Sequence, residues 1–191
     1  MFISTLASRC NEADAFPSGL RADVAEVAAI VSKEDRHTSR HFFTVIVDGD
    51  ALHIPYRLYY KTALLRRELS ASKGVRRHIV ACLGTRHHDG YVRQECLQAL
   101  LGNEASWITP FIIQLVGEYV VEIVEDIAQG MTERDAATFA TFARNNPAYF
   151  ATLERRVMSY WSCYHRQAYP ERADYPGTIA LAKIKAAWNE I

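Results

Sequence analysis

The sequence predicts a mainly α-helical protein, a helical-hairpin bundle or short α-solenoid with one β-hairpin near residues 41–60. Three observations predict it. Apolar residues recur at three- and four-residue spacing through most of the chain after Tyr60. An Asp48-Gly49 pair separates two β-prone runs. Helix-starting and helix-stopping residues then punctuate the rest at short intervals. The 191 residues are 49% apolar and 23% charged, which suits one domain over 1–191 and excludes disorder on a large scale. Helix plus hairpin fill 1–60, and 61–191 is helical.

The elements follow in order. Leu20, Val24, Val27, Ala28 and Val31 give an amphipathic helix after Pro17-Ser18-Gly19, and Ser32 to Arg40 is a polar loop. In the hairpin, Phe43 and Val45 face Ile54 and Leu52 on the buried side, with Thr44 and His53 on the other. Gly49 supplies the positive φ that the turn requires, and Pro55 ends the pairing or marks an edge. Val75 to Leu83 is a helix that stops at Gly84. Asp89 caps the next, which runs through Val92, Cys96, Ala99 and Leu100 to Gly102. Thr109-Pro110 opens a longer helix reaching Gly130, with Gly117 inside it as a point of close approach. Thr132 with Asp135 forms a capping box for a helix ending at Asn145. Asn146-Pro147 opens another, with the apolar stripe Phe150, Leu153, Val157, Trp161 and Tyr164. Tyr169-Pro170 to Pro176-Gly177 turns the chain into a last helix with Ile184 and Trp188. By chain order these helices pair as three hairpins starting near residues 75, 110 and 147.

Asp89-Gly90-Tyr91-Val92-Arg93 followed by Ala99-Leu100 resembles the HEAT repeat of the phycobilisome-lyase type. The resemblance covers one unit, residues 75–102; the later hairpins lack the Asp and Val-Arg positions. It implies a helical scaffold of the kind used to bind proteins, with Asp89 and Arg93 bracing neighbouring hairpins.

Composition narrows the function classes. Lys plus Arg and Asp plus Glu are 22 each, so no net positive field exists for coating nucleic acid or anchoring to acidic lipid. Residues Met1 to Ala7 lack the basic start of a signal peptide, and the longest uncharged run, Ala105 to Gly117, is 13 residues, too short for a bilayer. Cys10, Cys82, Cys96 and Cys163 have no metal or disulfide spacing, which points to reduced thiols and a cytoplasmic location.

Four constellations bear on chemistry. His87-His88-Asp89 resembles the His-Asp pair of HD-domain phosphohydrolases, which implies a metal on His88 and Asp89. The competing reading makes His87 and His88 solvent-facing loop residues and Asp89 a helix cap, and it ranks first because capping explains the acid. Eight basic residues against three acidic ones lie between Lys61 and Glu95, and one against seven between Cys96 and Ala143. Arg76, Arg77 and Arg86 form a possible interaction surface, either a phosphate-tracking stripe or one face of a charge-matched contact with the acidic block. Glu118, Glu122 and Glu125 fall on one face of the long helix, as a solvated or salt-bridged row rather than a di-metal centre. Tyr149, Phe150, Tyr160, Trp161 and Tyr164 read as core packing before ligand pocket.

No serine elbow, glycine-rich phosphate loop or Cys-His pair is present. The leading expectation is a non-enzymatic cytoplasmic module binding a protein partner or a second copy, with no cofactor. A metal-dependent phosphohydrolase is the alternative, and a nucleic-acid accessory protein the second.

Overall fold

The computed structural model describes residues 11–32 and 41–190; Cys10, the Met1 to Ala7 segment and most of the Ser32–Arg40 loop lie outside them. The described residues hold a two-stranded antiparallel sheet among α-helices, with no helix long and apolar enough to cross a membrane.

The hairpin follows from its sequence residue by residue. Strand β1 (Phe42–Val47) pairs with β2 (Asp50–Pro55) in the register Phe43 to Ile54, Thr44 to His53 and Val45 to Leu52. Phe43, Val45, Val47, Leu52 and Ile54 are buried, whereas Thr44 meets His53 Nδ1 at 3.0 Å on the outer face. The turn places Asp48 at φ 51° and Gly49 at φ 90°, the left-handed pair that matches strand twist in a two-residue loop. A side-chain amide guards the outer strand. Asn146 accepts from the Ile46 N–H at 2.7 Å and donates to the Ile46 carbonyl at 2.9 Å, as a neighbouring strand would. The side chain of Asn146, which opens a helix, is therefore used on the sheet and on the Phe142 carbonyl at 3.0 Å, and it makes no N-cap bond.

The helices are α1 (Arg21–Val31), α2 (Thr62–Ala71), α3 (Gly74–Gly84) and α4 (Gly90–Gln98). Next come α5 (Thr109–Val116), α6 (Val121–Gly130), α7 (Glu133–Asn145), α8 (Pro147–Tyr160) and α9 (Pro176–Glu190). Val24, Val27, Ala28 and Val31 of α1 turn inward onto α2 and α3. Asp89 caps α4 through the Tyr91 N–H at 2.9 Å, and Thr132 with Asp135 closes the reciprocal capping box of α7. One contiguous set of buried apolar side chains runs from Ala13 to Ala187, with Phe16 stacked on Phe111 near its centre.

Three expectations need correction. The long helix from Thr109 to Gly130 is two helices: Gly117 ends α5, and the chain restarts at Val121. The close approach at Gly117 is nonetheless present, since a β-carbon there would sit 2.8 Å from Leu153 Cδ1 of α8. The last pairing departs from chain order, because α9 lies mainly against α7 and α6. The stripe on α8 reaches Trp161, which packs half-buried against the core, and loses Tyr164. A wide π-turn over Trp161–His165 adds a residue to the turn and rotates Tyr164 out to 69% exposure.

Gly49→Val forces a β-branched residue into the left-handed region. It should lower unfolding stability by about 1 kcal/mol or more in urea titration. An unchanged midpoint would contradict the turn geometry.

Candidate functional site

The polar centre of the protein is the α3–α4 loop, Thr85–Asp89. Its length and composition suggest an exposed turn, yet Thr85, Arg86 and His87 are fully buried. The segment leaving the hairpin wraps it. The Leu58 N–H donates to the Arg86 carbonyl at 2.7 Å, and the His88 N–H donates to the Leu58 carbonyl at 3.0 Å, a short parallel bridge. The His87 ring reaches the Tyr60 carbonyl through Nε2 at 2.8 Å and accepts the Asp89 N–H on Nδ1 at 3.1 Å. Donation on one side and acceptance on the other fix a single neutral tautomer. Burial, the largest cause, lowers the His87 pKa below its ordinary value.

Arg93, one turn into α4, is also fully enclosed. Its Nη1 donates to the carbonyls of His87 and His88, both at 2.9 Å. Its Nε lies 3.1 Å from Glu118 Oε2, and its guanidinium sits 5.8 Å from the Tyr119 ring centre. Glu118 stands in the break between α5 and α6 at 3% exposure, accepting Arg57 Nη2 on both oxygens at 3.2 and 3.0 Å. Burial alone would raise the pKa of this carboxylate; Arg57 and Arg93 outweigh it and hold the pKa below the usual value. Arg86 lies beneath the same cluster, with Nε 3.2 Å from Thr85 Oγ1 and Nη2 3.5 Å from the Phe111 carbonyl. Burial, then Arg57, pushes the Arg86 pKa down to about 9.

Several candidate residues therefore change role. Arg86 is an interior residue and forms no surface with Arg76 and Arg77. Those two are half-buried: Arg76 pairs with Glu68 at 2.9 Å and Glu26 at 3.3 Å, and Arg77 donates to the Leu69 carbonyl. The Glu118, Glu122, Glu125 row does not exist, because Glu118 leaves the helix. Glu125 instead accepts the Tyr169 hydroxyl at 2.6 Å. His87 is buried, not solvent-facing; His88 is exposed and stacks on Tyr59 with ring centres 5.3 Å apart. No group of three His, Cys, Asp or Glu side chains among the described residues is arranged to hold a metal, at His88 and Asp89 or elsewhere.

The outer side of the α5–α6 break carries aromatic rings. Tyr119, 49% exposed, meets Tyr160 at 6.4 Å between centres, and Tyr160 meets Tyr164 at 6.0 Å. His165 Nε2 bonds the Tyr119 carbonyl at 2.9 Å, so the π-turn and the break hold each other in place. Tyr91, 81% exposed, begins α4 beside Gly90, where a β-carbon would lie 3.4 Å from Val120. An open trough of about 670 Å³ runs along α8, bounded by Arg155, Met158, Trp161 and Ser162. Cys82 and Cys96 are buried and Cys163 is exposed, all unpaired.

Arg57 escapes sequence reasoning because no periodicity marks it; Tyr119 falls at the helical spacing of Leu115, Val116 and Ile123 and so reads as core, and Tyr91 reads only as part of the Asp89–Arg93 motif. The one available signal is the aromatic crowding around Arg57, with Tyr56, Tyr59 and Tyr60 within three residues. No family model, curated protein or solved structure matches this chain.

Two substitutions test this centre. Glu118→Gln leaves Arg57 and Arg93 facing a neutral group and should cost about 3–5 kcal/mol at pH 7. Because the folded pKa of Glu118 is depressed, its contribution is present above the ordinary value of 4.5 and is lost as pH falls through the lower folded value. Urea unfolding of the variant should therefore vary less with pH below 4.5 than that of the native chain. Asp89→Ala should cost about 1 kcal/mol by the same measurement and Asp89→Asn little, since asparagine caps about as well. An equal loss from both would show that Asp89 acts through its charge.

Proposed function

We propose that the protein is a non-enzymatic, cytoplasmic protein-interaction module, acting as a single domain, in which α3 and α4 form one HEAT-like unit. The observation that carries this reading is the row Tyr119, Tyr160 and Tyr164, exposed at its two ends and half-buried at Tyr160, held by His165 and backed by Arg93. Tyrosine presents a large, stiff contact face with few rotatable bonds and keeps a polar tip. Association therefore orders little that was free, and such rings recur among binding hot spots. Three groups capable of chemistry are engaged in structure: both nitrogens of His87 are bonded, the Asp89 carboxylate caps α4, and Glu118 is ion-paired, while the exposed His88 stacks on Tyr59. The intrachain partners of Arg76 and the burial of Arg86 weigh against a phosphate-tracking stripe.

The test compares the native chain with a Tyr119→Ser, Tyr164→Ser double variant. Both sites are exposed, so the melting temperature should stay nearly constant. Sedimentation velocity reads self-association, and quantitative affinity capture from the source cells reads other partners. Removing two hot-spot rings should weaken the dominant association at least about tenfold. Association of equal strength in the double variant would overturn the assignment of this surface.

A further inference from the structure

The interior cluster is out of charge balance. Arg57, Arg86 and Arg93 surround one carboxylate, Glu118, so two positive charges lack a counter-charge within it. Arg86 is fully buried, and its Nη1 has no hydrogen-bond partner among the described residues; Arg93 Nη2 has none either. A buried guanidinium nitrogen facing no acceptor is costly, and two in one cluster are more so. Water could accept from Nη1 but would leave the excess charge in place. An anion answers both deficits.

The surroundings also suit one. Gln114 follows Phe111, whose carbonyl Arg86 reaches, by about one turn of α5, and it accepts the Tyr149 hydroxyl of α8 on Oε1 at 2.7 Å. Tyr149 and Tyr56 both pack on Phe43, and the Arg156 guanidinium covers the Tyr56 ring at 5.5 Å. Arg57, its side chain 26% exposed, opens the cluster to solvent.

We propose that Arg57, Arg86 and Arg93 form a binding site for a phosphate group, entered past Arg57. Two uncompensated charges match a phosphate dianion and exceed what a carboxylate would neutralise, and planar guanidinium forks fit tetrahedral oxyanions. The site lies inside the molecule from the tyrosine row and does not depend on the interaction reading. Occupancy would stabilise the α3–α4 loop and the α5–α6 break together.

The experiment titrates the full chain with inorganic phosphate, glycerol 2-phosphate and acetate at constant ionic strength in chloride-poor buffer, following melting temperature and heat of binding. Inorganic phosphate should bind saturably, tighter than about 1 mM, with a rise in melting temperature, and acetate should not. Matching binding of glycerol 2-phosphate identifies an esterified phosphate as the ligand; its failure identifies the free ion. Arg86→Met removes the orphaned charge while filling its volume. It should fold at least as stably without phosphate and lose at least tenfold in affinity. Should that variant not fold, arginine Nε–Hε NMR of the native chain gives the location. Phosphate should shift a small set of buried side-chain signals, one of them assigned to Arg57 by Arg57→Gln. No saturable response to about 10 mM phosphate, an equal response to acetate, or undiminished binding by Arg86→Met would overturn the site.

Discussion

Arg93 donates to two loop carbonyls with one nitrogen and faces Glu118 with another, so three chain segments meet at one guanidinium. The α3–α4 loop cannot move without releasing the bonds to His87 and His88. The α5–α6 break cannot close into helix without withdrawing Glu118. Arg57 adds the segment leaving the hairpin through the same carboxylate. A charge so enclosed is tolerated only while its partners stay in place, which makes the contact demanding of geometry more than generous in energy.

The constraint reaches outward from there. Glu118 can face two arginines because the chain leaves helical geometry at Gly117, and Gly117 also lets Leu153 of α8 approach. A side chain at 117 would have to displace the buried Leu153 side chain. Tyr119, next in the break, is held by the His165 bond to its carbonyl, so the widened end of α8 and the break share one position. The tyrosine row outside and the arginine cluster inside are thus two faces of one irregular segment. Irregular backbone allows this, since a continuous helix would send residues 118 and 119 in directions fixed by its own period.

The division of chemistry follows the same line. Of the His-Asp pair that a sequence alone marks as a metal candidate, Asp89 caps α4 through one carboxylate oxygen and the exposed His88 stacks on Tyr59, while the neighbouring His87 has both ring nitrogens bonded to backbone. Two kinds of group stand out among those left uncommitted in the described residues: exposed rings that would lose little entropy on association, and guanidinium nitrogens without an acceptor. The first favours a macromolecular partner and the second a small anion.

Local chemistry alone determined much of this protein. The register of β1 and β2, the two left-handed turn residues, the cap at Asp89 and the capping box at Thr132 all arise from contacts within a few residues, which the sequence displays directly. The inward faces of α1 and of α8 up to Val157 are legible for a related reason, since hydrophobic period is a local property. Tertiary structure decided the rest. That Arg86 and His87 are buried depends on Leu58 pairing with a loop 29 residues away, and that Glu118 is an interior ion rather than a surface acid depends on Arg57, 61 residues before it. Asn146 became a sheet partner through a strand 100 residues earlier. Charge and polarity read along a chain assign such residues to the surface by default. Only packing that brings distant segments together supplies the partners that make their burial affordable.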